Sequence, residues 1–441
     1  ERVYNDVVPE LATALGRQLG NAGGDSWLDE AYHRTMVVLF RLLFVAYAED
    51  KGLLPYERNV PYTNASLKSI ARELIPYIQG EQTFSDDSAV FWRKIVNLWR
   101  AVDKGKPDWG VPAYNGGLFS ATTGTGAALD KLELSDAEFG MPLARLLVDT
   151  DPDGVDGPVD FRSLSVREFG SIYEGLLESE LSVAEVDLTV DRKGVYLPAK
   201  KGDKVEAAKG EVYFHNRSGA RKSSGSYFTK PFAVEHLLDH ALEPAIADHF
   251  ERVLADIERG DDAAATRRFF DFRCVDIAMG SGHFLVAAVD RLEARFSEFL
   301  DTHPIPGVTR ELETLRNAAL NELHHCADDA LIENSSLLRR QIARRCIYGV
   351  DLNPVSVELA RLAIWIHTFV PGLPLSFLDH NLVTGNSLTG IGTLDEALDA
   401  LGGGLGSVGL DEMLEKARPA LERLASVTDA TVADVKAARA A

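Results

Sequence analysis

The chain has 441 residues, 46% of them hydrophobic and 26% charged, a balance that is ordinary for a folded globular protein. This composition excludes disorder as the dominant state, and the scattered 36 glycines and 18 prolines exclude a collagen-like or low-complexity chain. Because 46 Lys and Arg stand against 67 Asp and Glu, the formal net charge is −21, so any contact with nucleic acid needs a local basic groove.

The length predicts about three domains. The three cysteines, Cys274, Cys326 and Cys346, are too few for a disulfide framework, and no leader-like apolar segment opens the chain. These two features predict a cytoplasmic protein. The first residue is Glu1 rather than Met, which suggests that the natural chain begins earlier.

Residues 1–155 are predicted to form a helical N-terminal domain. Apolar residues recur at helical spacing in residues 7–19, 28–48, 65–78 and 89–102. The longest apolar stretch, residues 35–48, contains Arg41 and is too short to span a bilayer. It predicts a buried core helix, and we expect no membrane contact.

Residues 156–222 are predicted to be a connector that contains a β-ribbon, because hydrophobic residues alternate with polar ones between residues 183 and 214. A Ser- and Gly-containing loop follows, and its basic residues Arg217, Arg221 and Lys222 are candidates for contacts with DNA phosphates. A second basic group fits either a solvated helix face or a phosphate contact, and it comprises Arg339, Arg340, Arg344 and Arg345.

Residues 223–390 alternate between helical patterns and short apolar strands, which predicts an α/β domain with a parallel, doubly wound sheet. The predicted strands are residues 274–278, 346–350 and 382–384. Residues 391–441 are predicted to be a helical insertion or tail.

The most informative motif is VDIAMGSGHFL, an apolar strand that leads through a Gly-rich turn into a helix. Gly280 and Gly282 lack Cβ atoms, so a ligand can approach the backbone, and the helix start offers free N–H groups. Leu285 stands where a dinucleotide fingerprint requires a third glycine, and the lysine of a P-loop is missing. Asp276 at the strand end points to a cationic ligand with an amino-acid tail. The alternative is a tight β–α turn without a ligand.

Three further motifs each allow two interpretations. In GVDLNP, Asp351 at the carboxyl edge of the sheet can accept both hydroxyls of a ribose, or it or Asn353 can be a helix N-cap. In GNSL, Asn386 suits either an adenine edge or a turn. In FTKP, Thr229 suits either a ligand contact or a capped helix start.

In this order, FTKP, DIAMGSGHF, GVDLNP and GNSL resemble the motifs of the gamma-class amino-methyltransferases that modify adenine N6 in DNA. Within that class the chain looks like the large methylases of type IIG restriction–modification systems and of phage-defence systems such as BREX and DISARM. The runs LFRLLFVAYAEDKGLLP, YNGGLF and FGSIYEGLLE are also similar to that group, so the resemblance covers nearly the whole chain. It implies a Rossmann-like, S-adenosylmethionine-dependent methyltransferase core in residues 223–390.

The resemblance also implies residue roles. It places the methionine part of S-adenosylmethionine on Asp276 and the 280–282 turn, the ribose on Asp351 and the adenine edge on Asn386. The implied cofactor-binding residues are Thr229, Asp276, Ala278, Gly280, Ser281, Gly282, His283, Phe284, Asp351, Leu352 and Asn386. The implied partners are double-stranded DNA, from which the target adenine is extruded, and other proteins of a defence system. No metal is implied.

The chain departs from the family pattern in two respects. Asp351 lies 69 residues after Gly282 (351 − 282) instead of about twenty, which implies a helical insertion between them. The motif [N/D/S]-P-P-[Y/F], which holds the target amine in the family, does not occur in the 441 residues. We therefore expect a cofactor site without a catalytic residue in this chain, and a target pocket beyond Ala441.

Two rival functions stay open at this point. One is a cofactor-binding or scaffolding subunit of a defence complex without catalysis of its own, and the other is a methyltransferase of protein or RNA. The sequence after residue 441 would distinguish the enzyme from the subunit, because the enzyme requires N-P-P-[Y/F] there. A metal site is not indicated, since His324, His325 and Cys326 have no second ligand cluster at zinc spacing.

Overall fold

The computed structural model describes residues 2–20, 27–114, 117–120, 124–162, 179–191, 194–216, 230–323, 332–376, 378–389, 430–431 and 433. Contacts within the chain divide it into two compact units. The helical unit comprises residues 1–111 and 118–228, and the sheet unit comprises residues 112–117 and 229–441. Among the described helices, none combines the length and the apolar character that crossing a membrane requires.

The helical unit contains the four helices that the apolar spacing predicts. Ser66 and Ser135 cap two helices by accepting the N–H groups of Ser69 and Glu138. The α-helices described in this unit are Val8–Gly20, Trp27–Asp50, Val60–Ala65, Leu67–Ile78, Val90–Lys104, Gly124–Asp130 and Asp136–Leu147.

The core of this unit is the helix Trp27–Asp50, in which residues 35–46 are all buried. The predicted buried core helix is therefore confirmed. Arg41 lies inside it, where its Nε donates to the Leu118 carbonyl at 2.7 Å and its guanidinium lies 5.1 Å from the centre of the Trp99 ring. Burial lowers the pKa of Arg41 to about 10, so the side chain stays charged at neutral pH.

The predicted β-ribbon is also present, as antiparallel pairs. Its outer pair joins β3 to β6 and its inner pair joins β4 to β5, and a small apolar cluster of Ala184, Leu188 and Ala207 lies beneath the tyrosines Tyr196 and Tyr213. A separate hairpin joins β1 to β2. The strands are β1 Val148–Thr150, β2 Asp156–Pro158, β3 Ser179–Val183, β4 Leu188–Val190, β5 Tyr196–Pro198 and β6 Val212–Asn216.

The sheet unit is a mixed α/β structure built on a parallel three-stranded sheet in the order β7-β8-β9. Its strands are β7 Cys274–Asp276, β8 Ile347–Asp351 and β9 Leu382–Thr384. The α-helices described in this unit are Pro231–Leu237, Glu243–Glu258, Asp262–Phe269, His283–Thr302, Pro306–Leu323, Asn334–Cys346 and Pro354–His367. The doubly wound, Rossmann-like completion of this sheet stays a prediction.

Close packing at the centre of β8 positions the Gly-rich turn. A Cβ added to Gly349 would collide with the sulfur of Met279 and lie 2.9 Å from the Leu285 side chain. Met279 belongs to the turn after β7, and Leu285 belongs to the helix that follows it. Because Gly349 has no side chain, the turn after β7 and the helix His283–Thr302 can pack closely against the sheet.

The YNGGLF segment contributes its first residue to the sheet unit. The Tyr114 carbonyl accepts the Leu375 N–H at 2.7 Å, and the Tyr114 ring lies 5.0 Å from that of Phe369. Asn115 and Gly116 of this segment lie outside the described residues.

A buried carboxyl group marks the end of the core helix of the helical unit. Glu49 is 3% exposed and accepts hydrogen bonds from the Tyr62 hydroxyl at 2.9 Å and from the N–H groups of Leu67 at 3.0 Å and Lys68 at 3.4 Å. Burial outweighs these donors and raises the pKa of Glu49 to about 7, with the neighbouring charge of Asp50 adding to the effect.

The raised pKa predicts a stability that falls as the pH rises. The folded chain holds the Glu49 proton up to about pH 7, whereas the unfolded chain releases it near 4.5, so unfolding becomes easier between these values. The loss is on the order of 3 kcal/mol at 1.36 kcal/mol per pKa unit. We expect Glu49→Gln to flatten this part of the profile in denaturant unfolding measured from pH 4.5 to 8. The control variant Glu81→Gln, at an exposed position, should keep the fall in unfolding free energy with pH. If Glu49→Gln keeps the same slope, the raised pKa does not belong to Glu49.

Candidate functional site

The candidate site lies where the three parallel strands of the sheet unit end. In register, Asp276 of β7 is opposite Gly349 of β8, and Asp351 of β8 is opposite Thr384 of β9. The predicted ligand-binding residues of the three motifs therefore follow neighbouring strands at one edge of the sheet. This is the edge at which open parallel sheets bind ligands.

The turn after β7 is held by main-chain hydrogen bonds and one carboxylate. The Asp276 Oδ1 accepts the Ala278 N–H at 3.0 Å, and the Met279 N–H donates to the Val350 carbonyl at 3.1 Å. The Gly282 N–H then returns to the Met279 carbonyl at 2.8 Å and closes the turn. The turn is thus fixed to β8 before the helix His283–Thr302 begins.

The two glycines of this turn serve different purposes. Both have left-handed backbone, with φ of +52° at Gly280 and +78° at Gly282, where a side chain is strained. A Cβ at Gly282 would lie 3.0 Å from the Cβ of Ala360 on the helix Pro354–His367. A Cβ at Gly280 would meet nothing within 4 Å among the described residues. Gly282 therefore permits helix packing, whereas Gly280 borders open space in which a ligand can reach the backbone.

Asp351 joins the turn after β7 to the turn after β8. Its Oδ2 accepts the Gly280 N–H at 2.9 Å, and its Oδ1 accepts the Asn353 N–H at 2.8 Å. Asn353 in turn is the N-cap of the next helix and accepts the Val355 N–H at 2.9 Å. The N-cap interpretation is therefore correct for Asn353. Asp351 instead binds both turns and keeps further lone pairs on each oxygen for a ligand.

The edge carries concentrated negative charge. Burial raises the pKa of the Asp276 carboxyl, the charge of Asp351 raises it further, and the Ala278 N–H opposes both effects. Burial and the Asp276 charge likewise raise the pKa of the Cys274 thiol to about 11, which makes it a poor nucleophile. In the part of the chain that the structure describes, neither Asp276 nor Asp351 has an ion-pair partner. Such a site favours a ligand that brings positive charge or hydroxyl donors.

Asn386 holds the turn that follows β9. Its Oδ1 accepts the N–H groups of Leu388 at 3.0 Å and Thr389 at 3.1 Å, so the turn interpretation is correct. Gly385, just before it, donates its N–H to the Asp351 carbonyl at 2.9 Å. The amide Nδ2 of Asn386 makes no hydrogen bond to other described residues and can still donate to a ligand.

Exposed apolar side chains follow the polar groups of all three strands. Ile277, Leu352 and Leu388 are 56%, 71% and 86% exposed. Each stands one or two residues after Asp276, Asp351 or Asn386. Only Leu352 was predicted as a binding residue. Ile277 and Leu388 could have been singled out in the sequence by their position just after a polar residue at the end of a strand. An apolar side chain at such a position is not expected to be buried in the core.

The remaining predicted positions divide into two groups. Ala278, Ser281, His283 and Phe284 belong to the Gly-rich turn and the first helical turn after it, as expected. The predicted cofactor residue Thr229 and the predicted DNA contacts Arg217, Arg221 and Lys222 lie outside the described residues, as do residues 324–331 with His324, His325 and Cys326. Within the described part of the chain, no cluster of His, Cys, Asp or Glu is arranged to hold a metal ion.

The interpretation of the second basic group as a solvated or phosphate-binding helix face is wrong. Arg340 and Arg344 are buried, and Arg340 donates to the Pro374 carbonyl at 2.6 Å. Arg339 pairs with Glu293 at 3.2 Å and with Asp290 at 3.4 Å, and Arg345 pairs with Glu311 at 3.0 Å. The helix Asn334–Cys346 packs against His283–Thr302 and Pro306–Leu323, which takes these arginines out of solvent or neutralises them.

Comparisons with known proteins place the chain near restriction–modification enzymes. No model of a known protein family matches the sequence. A protein of Methanocaldococcus jannaschii described as a type II restriction enzyme and methyltransferase is 21% identical over 412 residues, covering 83% of this chain and 28% of the relative. The solved structure of the Type IIL restriction–modification enzyme MmeI in complex with DNA aligns with 87% of this chain and 40% of that one, at 15% identity and a TM-score of 0.40.

The different surroundings of the two turn glycines predict different costs of substitution. Gly282→Ala adds backbone strain and forces Ala360 to move, so we expect a loss of about 2–4 kcal/mol. Gly280→Ala adds only the strain, and we expect about 1 kcal/mol. Denaturant unfolding followed by circular dichroism measures both, and equal losses would contradict the distinction.

Proposed function

We propose that this chain is the cofactor-binding, N-terminal part of a DNA methyltransferase that transfers a methyl group to adenine N6 in a restriction–modification or phage-defence system. The proposal is carried by Asp276 and Asp351, two carboxylates without an ion-pair partner among the described residues, at the carboxyl edge of a parallel sheet beside a turn that is open at Gly280. The order of the four motifs and the likeness to a type II restriction enzyme and methyltransferase support it. The chain spans 28% of that relative, so the activity of a longer protein is part of the proposal.

The residues at the edge fit S-adenosylmethionine in charge, hydrogen bonding and shape. The cofactor carries a sulfonium and an ammonium group, which suit a site with two carboxylates and no described cation. Its ribose hydroxyls suit the lone pairs that Asp351 keeps beyond its two backbone donors. Its adenine is flat and largely apolar, and the exposed side chains of Ile277, Leu352 and Leu388 offer a matching surface.

Each residue then has a specific task. Asp276 holds the ammonium group, Asp351 holds the ribose hydroxyls, and the Asn386 Nδ2 donates to the adenine edge. The N–H groups at the start of the helix His283–Thr302 receive the cofactor carboxylate, because first-turn N–H groups have no acceptor within a helix. Thr229 completes the methionine side. When bound, the cofactor supplies a methyl group on a positively charged sulfur, and the chain contributes its orientation.

The proposed substrate is an adenine extruded from double-stranded DNA, since its amino group is out of reach within the duplex. The proposed location is the cytoplasm, where the cell's DNA is accessible in bacteria and archaea.

We predict that the chain binds S-adenosylmethionine at one site and that Asp351→Ala weakens binding about 10- to 100-fold, because hydrogen bonds to a charged group are lost. Asp351→Asn keeps an acceptor for one turn and should bind with intermediate affinity. The matched control is Asp248→Ala, an exposed helix residue of the same unit. Isothermal titration calorimetry measures all four proteins, and equal affinity of wild type and Asp351→Ala would refute the role of Asp351.

We also predict that the 441-residue chain alone does not methylate DNA, because it lacks the N-P-P-[Y/F] motif that holds the target amine in the family it resembles. The measurement is transfer of tritiated methyl groups to plasmid and phage DNA. Sustained turnover would show that another element of this chain holds the target base.

A further inference from the structure

The distribution of basic residues along the chain is strongly uneven. Residues 192–230 contain ten Lys and Arg and three Asp and Glu, a formal charge of +7, against −28 for the rest of the chain. Seven of the 15 lysines of the whole chain lie in this stretch. Of this charge, the described segment 199–209 carries +2, from four lysines against Asp203 and Glu206. A positive segment in an otherwise acidic protein attracts a polyanion locally.

The described part of this stretch belongs to the β-ribbon, residues 179–191 and 194–216. Four lysines lie there outside the strands, and we call Lys200, Lys201, Lys204 and Lys209 the ribbon lysines. All four are exposed. Lysines within an edge strand often protect that edge against aggregation. The ribbon lysines lie in the turns between strands, so this role does not explain them.

Two hydrogen bonds bring the ends of the lysine-containing segment together. The Ala199 N–H donates to the Asp187 carbonyl at 2.8 Å, and the Lys209 N–H donates to the Asp187 Oδ1 at 2.9 Å. Between them, the N–H groups of Glu206 and Ala207 donate to the Leu188 carbonyl. The segment from 199 to 209 is therefore hydrogen-bonded to Asp187 and Leu188 of the ribbon, and these bonds hold its four lysines in one compact segment.

Several acidic residues of the ribbon accept backbone N–H groups within its turns. Asp203 accepts the Lys200 N–H at 2.8 Å, Asp191 accepts the Val195 N–H at 2.9 Å, and Glu211 accepts the Ala208 N–H at 2.9 Å. Only Lys204 has an ion-pair partner within the described residues, Glu206 at 2.7 Å. These three carboxylates thus stabilise turns, and the ammonium groups of Lys200, Lys201 and Lys209 have no ion-pair partner within the described residues.

We propose that the ribbon lysines contact the phosphate backbone of double-stranded DNA. This proposal rests on the proposed function, because it assumes that the chain approaches DNA. Lys200, Lys201 and Lys209 are exposed, lack an ion-pair partner among the described residues, and lie on a body held by its own hydrogen bonds, so each can contact a phosphate without reading sequence. The contact gives an acidic protein a local anchor on the polyanion.

The test compares two triple variants that remove the same charge. The ribbon variant is Lys200→Ala/Lys201→Ala/Lys209→Ala, and the control is Lys51→Ala/Lys104→Ala/Lys131→Ala, three exposed lysines of the same unit. Binding of the 441-residue chain to a random duplex of about 30 base pairs is measured by fluorescence anisotropy over a salt series.

We expect the ribbon variant to lose at least about tenfold in affinity at low salt, and its log–log salt slope to fall by about 2 to 3, since each phosphate contact contributes about 0.9. The control should change the slope by less than about one. Equal effects of the two variants, an unchanged slope, or no wild-type binding up to about 100 µM would overturn the proposal. Stronger competition by single-stranded RNA of equal length would overturn the assignment to duplex DNA.

Calorimetry with S-adenosylmethionine separates this proposal from the proposed function. The ribbon variant should bind the cofactor as wild type does, because no ribbon residue belongs to the candidate site. If the DNA measurements overturn the phosphate contact but the chain still binds S-adenosylmethionine, the proposed function is not refuted. Absence of cofactor binding in wild type would refute the proposed function whatever the DNA result.

Discussion

Asp351 is the residue on which the geometry of the candidate site depends. Its two carboxylate oxygens accept N–H groups from the turn after β7 and the turn after β8, and its carbonyl accepts the Gly385 N–H from the turn after β9. Hydrogen bonds to a carboxylate are about twice as strong as those between neutral groups. One residue at the end of the central strand therefore joins all three turns that form the edge of the sheet.

This arrangement imposes demands on the turn and on any ligand. The Gly280 N–H reaches Asp351 only because the backbone takes a left-handed conformation there, and Met279 fits beneath it only because β8 has Gly349 at that point. Burial raises the pKa of Asp276, and the same closeness brings the charge of Asp351 near it, which raises the pKa further. A ligand with positive charge or hydroxyl donors relieves this repulsion, so the hydrogen bonds that build the turn also select the chemistry of its ligand.

The sequence was sufficient to predict what depends on local spacing. Helical periodicity located the core helix with Arg41, and strand ends followed by glycine or a carboxylate located Asp276, Gly280 and Asp351. The bond between Gly280 and Asp351 was beyond reach, because it joins positions 71 residues apart through the register of the sheet. The burial of Arg340 could not be predicted for a related reason. Helical spacing shows which residues share a face of a helix, but it does not show which element packs against that face.

The two kinds of basic side chain are used differently in this acidic chain. In the sheet unit, Arg291 pairs with Glu235, Asp239 and Glu243, and Arg361 pairs with Glu358 and Asp379. Surface pairs add about 0–1 kcal/mol each. The pairs of Arg291 and Arg361, whose side chains are partly buried, cancel the positive charge of the two arginines. In the β-ribbon, Asp191, Asp203 and Glu211 accept backbone N–H groups instead, and of the ribbon lysines only Lys204 has an ion-pair partner among the described residues. A carboxylate that accepts backbone N–H groups keeps its own charge but leaves nearby ammonium groups without a direct partner, and those groups can then contact a polyanion.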